Sequence, residues 1–302
     1  MSHINSILIH IGCSGPYIQV PTPPPWIEHC ITQYLLFNEG PIYVLTDRAN
    51  IKYLHERERV IPIAIEDYES DKVAEFARLY DYSLRNFWTV SATRFMYLEN
   101  FLRDNELQHV YHFENDILIY FDLSKHHATF QGLYPNIAIT PGGPIKTMTG
   151  FMYINNWQSL AHLTDFFIDT LASLGLEKTM AKYGLDMVHE MSLMVAYERE
   201  HGAERMAYLP TMPFGEHSQD FDKFNSIFDA AGFGTFVDGT IQGDPPGFRA
   251  PWLYVGQVLE KYPEYKVVWE AGCPYFSHDD NLVKINNLHI HTKKLERYMS
   301  HE

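Results

Sequence analysis

The opening of the chain constrains its fold most. Three short apolar runs, "ILIHIG" (7–12), "PIYVLTD" (41–47) and "VIPIAI" (60–65), read as buried strands. Between the first two lies "WIEHCITQYLLF" (26–37), with apolar residues at helical spacing and prolines just before it. β-α-β-(loop)-β is the pattern of a parallel sheet, since parallel neighbours need a crossover and the crossover is usually a helix. Ligands of such sheets bind at the carboxyl ends of the strands. That places His10 and Gly12, at the end of the first strand, and Asp47, at the end of the second, beside a prospective site.

The alternation continues. "DKVAEFARLYDYSLRNFW" (71–88) and "SATRFMYLENFLRD" (91–104) read as helices, the second capped by Ser91 and striped by Phe95, Leu98, Phe101 and Leu102. "TGFMYIN" (149–155) reads as a strand, followed by the helical "WQSLAHLTDFFIDTLASLG". "LDMVHEMSLMVAYEREHG" (185–202) is a further helix closed by Gly202. The segment 208–250, rich in Gly, Pro and polar residues, suggests long loops over a site. "VKINNLHIHTKKLERYM" (283–299) reads as a strand with His289 and His291 on one face, then a basic turn and a short helix.

The chemistry concentrates in "YHFENDILIYFD" (111–122). On one strand, Glu114 and Asp116 point the same way. Two like charges that close are unfavourable unless a cation or a proton holds them.

Composition narrows the partners. With 302 residues, 46% of them hydrophobic and 15% aromatic, the chain has enough material for a sizeable core. A formal net charge of −15 argues against duplex nucleic acid and against an anionic membrane bound through a basic face. Cys13, Cys30 and Cys273 form no CxxC pair, and their odd count fits a reducing compartment. "MSHINSILIHIG" lacks the basic start and long apolar run of a signal peptide, and no stretch reaches membrane-spanning length. The expectation is a cytoplasmic protein of one domain over residues 1–302, without internal repeat or clear linker. The 16 histidines are dispersed, so most are expected to be surface or core residues.

"SATRFMYLENFL" followed by "HVYHFENDILIYFDL" resembles the core of nucleotide-sugar-dependent glycosyltransferases of the GT-A fold, in layout the glycogenin and bacterial galactosyltransferase type. That family places an Arg-bearing helix before a strand ending in Asp-any-Asp, matched here by Arg94 and Glu114-Asn115-Asp116. "TGFMYINNWQSL" and "LHIHTKK" are similar to its small-residue turn and to its C-terminal His followed by Lys. Three departures stand out: Glu114 replaces the first Asp, Thr149 stands where Asn is usual, and "VHEMS" replaces the acceptor-side Asp-Gln-Asp, leaving Glu190 as its carboxylate.

The resemblance implies a Rossmann-like α/β GT-A fold, a mostly parallel central sheet flanked by helices. Residues 1–125 would form the nucleotide-sugar half, and 126–302 the acceptor half with a metal- and diphosphate-binding tail. It implies a donor that is a uridine or guanosine diphosphate sugar, an acceptor that is a glycan or other hydroxyl compound, and Mn²⁺ or Mg²⁺, which hard oxygens plus an imidazole suit. Asp116 would be a direct ligand, Glu114 would reach the ribose or the metal, and His291, with His289 as the competing assignment, would complete the shell. The donor would be held by His10, Gly12, Asp47, Arg94, Asn115, Lys293 and Lys294. Glu190 would serve the acceptor, as base in an inverting reaction or to orient the hydroxyl in a retaining one. Asp229, Asp238 and Asp244 are the next candidates for that role. Two other readings remain, a sugar nucleotidyltransferase and a non-catalytic glycan-binding protein. "HIGCSGPYIQVP" lacks the basic residue of the first; Asp116 with the His-Lys tail argues against the second.

Overall fold

The structure, a computed structural model, describes residues 4–14, 19–20, 23–80 and 86–300. Part of the expected helix over 71–88, residues 81–85, lies outside them, as do residues 1–3 and parts of the loop after Gly12. In chain order the first elements are β1 (Asn5–His10), the short pair β2 (Cys13–Ser14) and β3 (Gln19–Val20), α1 (Trp26–Phe37), β4 (Ile42–Thr46) and β5 (Val60–Ala64). Then come α2 (Asp71–Tyr80), α3 (Phe87–Asp104), β6 (Gln108–Glu114), β7 (Ile117–Ile119), α4 (Leu123–Leu133), β8 (Ile137–Gly143), β9 (Lys146–Asn156), α5 (Trp157–Tyr183), α6 (Glu190–His201) and β10 (Met206–Tyr208). The remainder is α7 (Phe221–Phe224), β11 (Ser226–Ile227), α8 (Gly232–Asp238), α9 (Tyr254–Lys261), β12 (Lys266–Glu270), β13 (Cys273–His278), β14 (Asn281–Ile285) and β15 (Asn287–His289).

The central sheet has seven strands in the order β10-β8-β9-β6-β1-β4-β5. Its β6-β1-β4-β5 half is parallel throughout, and the long β9 runs against both β6 and β8. This is the expected mostly parallel sheet flanked by helices. Alternate residues feed opposite faces, as the two-residue period of a strand requires. Leu8, Tyr111 and Phe113 join the core beneath α1 and α4, while Ile7, Ile9 and Val110 join the core beneath α2, α3 and α5. Truncating Phe113, fully buried and stacked on Tyr34 at 5.6 Å, would cost about 3–5 kcal/mol.

Several expectations are corrected. The helix of 91–104 begins at Phe87; Asn86 caps it by accepting the Trp88 N–H at 3.0 Å, and Ser91 sits inside, donating to the Phe87 carbonyl at 2.9 Å. The helix after Trp157 continues to Tyr183, with a break at Gly175, whose φ of 71° suits glycine. The helix of 185–202 starts at Glu190, because the His189 side chain caps it by accepting the Ser192 N–H at 3.2 Å; Gly202 ends it as expected. The segment 208–250 is not a set of open loops: Ile227, Phe228 and Phe233 are fully buried there. The C-terminal strand is two strands, β14 in a second sheet (β11-β14-β13-β12) and β15 in a separate ribbon.

The largest correction concerns the acidic stretch. Glu114 ends β6, Asn115 and Asp116 form a turn, and β7 leaves the central sheet. It pairs antiparallel with β15, with Ile117 opposite His289 and Ile119 opposite Asn287. The two carboxylates therefore converge across a turn rather than along one strand.

Candidate active site

The parallel register sets the frame. His10 lies opposite Thr46 and Ile9 opposite Glu114, so β1, β4 and β6 end at one edge. There the Asp47 carboxylate accepts the Gly12 N–H at 2.6 Å. Asn115 bridges His10 Nδ1 (3.0 Å) and accepts from Trp26 Nε1 (3.3 Å). Burial, against the pull of Asp47, lowers the His10 pKa to about 4, so that ring is neutral near neutral pH.

The β7–β15 ribbon then delivers an imidazole to the acids. His289 Nε2 lies 3.0 Å from Asp116 Oδ2 and 3.6 Å from Glu114 Oε2. One donor atom from each of Glu114, Asp116 and His289 falls within 4.8 Å of the others. Two hard oxygens and one borderline nitrogen fit Mn²⁺ or Mg²⁺. The ring is tightly seated. A Cβ on Gly150 would stand 3.0 Å from His289 Nδ1, and one on Gly234 would meet the His289 carbonyl oxygen at 1.9 Å. The His289 N–H donates at 3.0 Å to Asp229, whose carboxylate also accepts the Phe233 and Gly234 N–H groups at 2.9 Å each.

Two cations flank the cluster. Arg94 reaches Glu114 Oε1 at 2.5 Å and Thr149 Oγ1 at 2.7 Å, and Thr149 donates to the same Glu114 oxygen at 2.6 Å. The Lys293 ammonium donates to Asp116 Oδ2. Burial alone would push both acids up. Arg94 and His289 outweigh it at Glu114 and hold its pKa down at about 2; His289 and Lys293 hold Asp116 well below the carboxylate range. Burial likewise opposes the charge on His289, but the Asp116 carboxylate wins and raises its pKa. The acids stay ionised, as metal or cationic partners require.

Glu190, 4% exposed, lies in the first turn of α6, where Arg94 and Glu114 both act on its charge. Its Oε2 is buried without a hydrogen-bond partner among the described residues. Burial raises its pKa to about 7, with Arg94 opposing and Glu114 adding to the shift. A helix N-terminus favours a carboxylate by about 1 kcal/mol at most when exposed. A shift of this size is worth about 3 kcal/mol, so desolvation decides.

Two expected residues fall outside the cluster. His291 lies beside His289, with 4.3 Å between ring centres, but contributes no atom to the acidic group; burial lowers its pKa to about 3. Lys294 is exposed, whereas Lys293, in a left-handed turn at φ 65°, points inward. The reserve carboxylates are structurally committed: Asp229 as above, Asp238 accepting from Thr292 and from Tyr298 at 2.8 Å, Asp244 from Thr240 at 2.6 Å. Thr149 and Asp229, singled out in the sequence for other reasons, position Glu114 and His289; Gly150 and Gly234 are the residues that sequence reasoning missed. The small-residue turn "TG" was the one signal pointing at any of them.

The sequence matches no protein-family model and no curated protein. Among solved structures, the chain is similar to apo mouse xyloside xylosyltransferase 1 at 10% identity and a TM-score of 0.45, over 68% of this chain and 84% of that one. It is also similar to the glycosyltransferase GlyE of Streptococcus pneumoniae TIGR4, at 14% identity and a TM-score of 0.39, over 69% of this chain and 45% of that one. With TM-scores this low, the reading is carried by the chemistry of the site itself. Among the described residues, no helix is long and apolar enough to cross a membrane.

Proposed function

We propose that the protein is a glycosyltransferase moving a sugar from a uridine or guanosine diphosphate sugar to a glycan or other hydroxyl acceptor, with a divalent cation held by Glu114, Asp116 and His289. The observation that carries this reading is the convergence of those three groups at the carboxyl edge of a parallel sheet, flanked by Arg94 and Lys293. When bound, the cation supplies Lewis-acid charge to the departing diphosphate. Arg94 orients Glu114, and Lys293, moved from Asp116, places a positive charge on the diphosphate. His10, Gly12, Asn115 and Asp47 form the adjoining wall of the donor site.

In the transfer, the bond from the anomeric carbon to the phosphate oxygen breaks and a bond to the acceptor oxygen forms. The nucleoside diphosphate leaves, and the acceptor's proton goes to Glu190 in an inverting course. In a retaining course Glu190 orients the hydroxyl, and the proton passes to the departing diphosphate. A carboxyl poised near neutrality suits either role. Cys30 and Cys273 are free thiols, which supports a cytoplasmic setting.

The test is a thermal-shift panel of nucleoside diphosphates and their sugars, with and without Mn²⁺, on the native protein and on Asp116→Asn. Ligand that binds only the folded state raises the midpoint. A Mn²⁺-dependent shift with a diphosphate sugar, lost in Asp116→Asn, is expected, together with slow donor hydrolysis. Pyrophosphate release from a nucleoside triphosphate would instead make the protein a nucleotidyltransferase. Binding without any hydrolysis or transfer would make it a glycan-binding protein.

A further inference from the structure

A second cleft, of about 380 Å³, lies at the opposite end of the β7–β15 ribbon from the acidic cluster. Phe37, Phe121, Lys125, His126, Lys284 and Asn286 contribute to its walls. Its charge runs against that of the chain, which carries −15 overall. Among the described residues, neither Lys125 nor Lys284 has a carboxylate within 4.0 Å. Asp122, the one acid on the wall, is taken up in capping α4, accepting from Ser124 N at 2.9 Å and Ser124 Oγ at 2.6 Å. Lys284 Nζ stands 5.7 Å from the Phe37 ring centre, and the His126 ring lies 5.7 Å from that of Phe121. Burial lowers the Lys284 pKa, with Cys273 opposing the shift and Lys125 adding to it. Lys125 is exposed, but Lys284 is half-buried, and a half-buried ammonium without a counter-charge is unfavourable unless an anion joins it.

The cleft also holds an unmet acceptor. Asn286 is fully buried; its Nδ2 donates to Ser226 Oγ at 2.8 Å, while its Oδ1 has no donor among the described residues. Its main chain is satisfied on both sides, by the Ile227 carbonyl and the Tyr120 N–H, each at 2.8 Å. A phosphate or carboxylate offers no proton to that oxygen, but a hydroxyl does.

We propose that this cleft binds an acidic sugar unit, carboxylated or phosphorylated. Lys125 and Lys284 hold the anionic group, Asn286 Oδ1 accepts from a ring hydroxyl, and Phe37 and Phe121 cover the C–H face. The site uses none of the residues assigned to transfer and does not rest on that activity.

The experiment is titration calorimetry of the intact protein with glucuronate, glucose 6-phosphate, glucose and inorganic phosphate. At least one acidic sugar binds, at least about tenfold more tightly than glucose and than phosphate, a gap of about 1.4 kcal/mol in each case. Lys125→Met/Lys284→Met loses at least that tenfold, while its thermal midpoint without ligand stays the same or rises. Asp116→Asn keeps the binding, which separates this site from the acidic cluster. No binding by either acidic sugar overturns the proposal. So does binding unaltered in the double variant, and so does phosphate binding as tightly as the sugars.

Discussion

Lys293 places its ammonium on Asp116 Oδ2, the same carboxylate oxygen that lies 3.0 Å from His289 Nε2. The lysine and an incoming divalent cation therefore compete for one atom. Lys293→Met removes the competitor and leaves the carboxylate's charge. Mn²⁺ alone is expected to bind more tightly to this variant, and a nucleoside diphosphate with Mn²⁺ more weakly, because the diphosphate loses a cationic partner. Calorimetry with each ligand reads both changes. Weaker binding of Mn²⁺ alone would show that Lys293 supports the metal site instead of blocking it.

The two histidines of the tail separate cleanly. His289→Ala removes the imidazole from the acidic group and is expected to abolish Mn²⁺-dependent donor binding. His291→Ala, which removes a ring packed at 4.3 Å against that of His289 and no atom of the acidic group, should weaken it by no more than about tenfold, the low end for groups that merely orient a ligand. Equal losses in the two variants would show that His291 shares coordination.

Glu190→Gln should lose about 10²–10⁴-fold in transfer rate while keeping donor affinity. Stability gives an independent reading. The folded pKa of about 7 lies above the ordinary 4.5, so the folded chain holds a proton that the unfolded chain releases. This contribution is full below the unfolded value and is lost as pH rises toward the folded one. The midpoint of Glu190→Gln should accordingly gain on that of the native protein between pH 4.5 and 7. Parallel curves across that window would show Glu190 to be solvated and ordinary.

Gly150 and Gly234 test the seating of His289 at two strengths. A methyl at Gly150 meets the movable end of Ile117 at 2.8 Å and the His289 ring at 3.0 Å. The ring yields by a few tenths of an ångström, so Gly150→Ala should fold and lose about 10–100-fold in metal affinity. A methyl at Gly234 strikes a backbone oxygen at 1.9 Å, which has nowhere to go. Gly234→Ala should cost more than about 2 kcal/mol in denaturant unfolding. A Gly150→Ala protein with native Mn²⁺ affinity would mean that the ring is not held by this contact.

The first strands and α1 were legible because apolar runs and helical spacing are local signals, and they agree with the structure to within a residue or two. Asp116 and Arg94 were legible as a charged constellation beside a strand. The turn at Asn115-Asp116 was not, because no glycine or proline marks it and the apolar run beyond reads as the same strand. Nor was the choice between Lys293 and Lys294. It depends on one left-handed backbone position, which places neighbouring identical side chains on different sides. The Ser91 cap failed because Asn86, five residues earlier, offered an equally good acceptor where the chain actually turns.

Asp116 and His289 are 173 positions apart in the sequence and meet at the end of the β7–β15 ribbon. A contact of such range forms after most of the chain is in place, since the closure entropy of a long loop must be met before the contact rewards it. A partly folded molecule thus has Glu114 and Asp116 without their imidazole. Under the proposed function, competence for a sugar donor then arrives together with the completed fold.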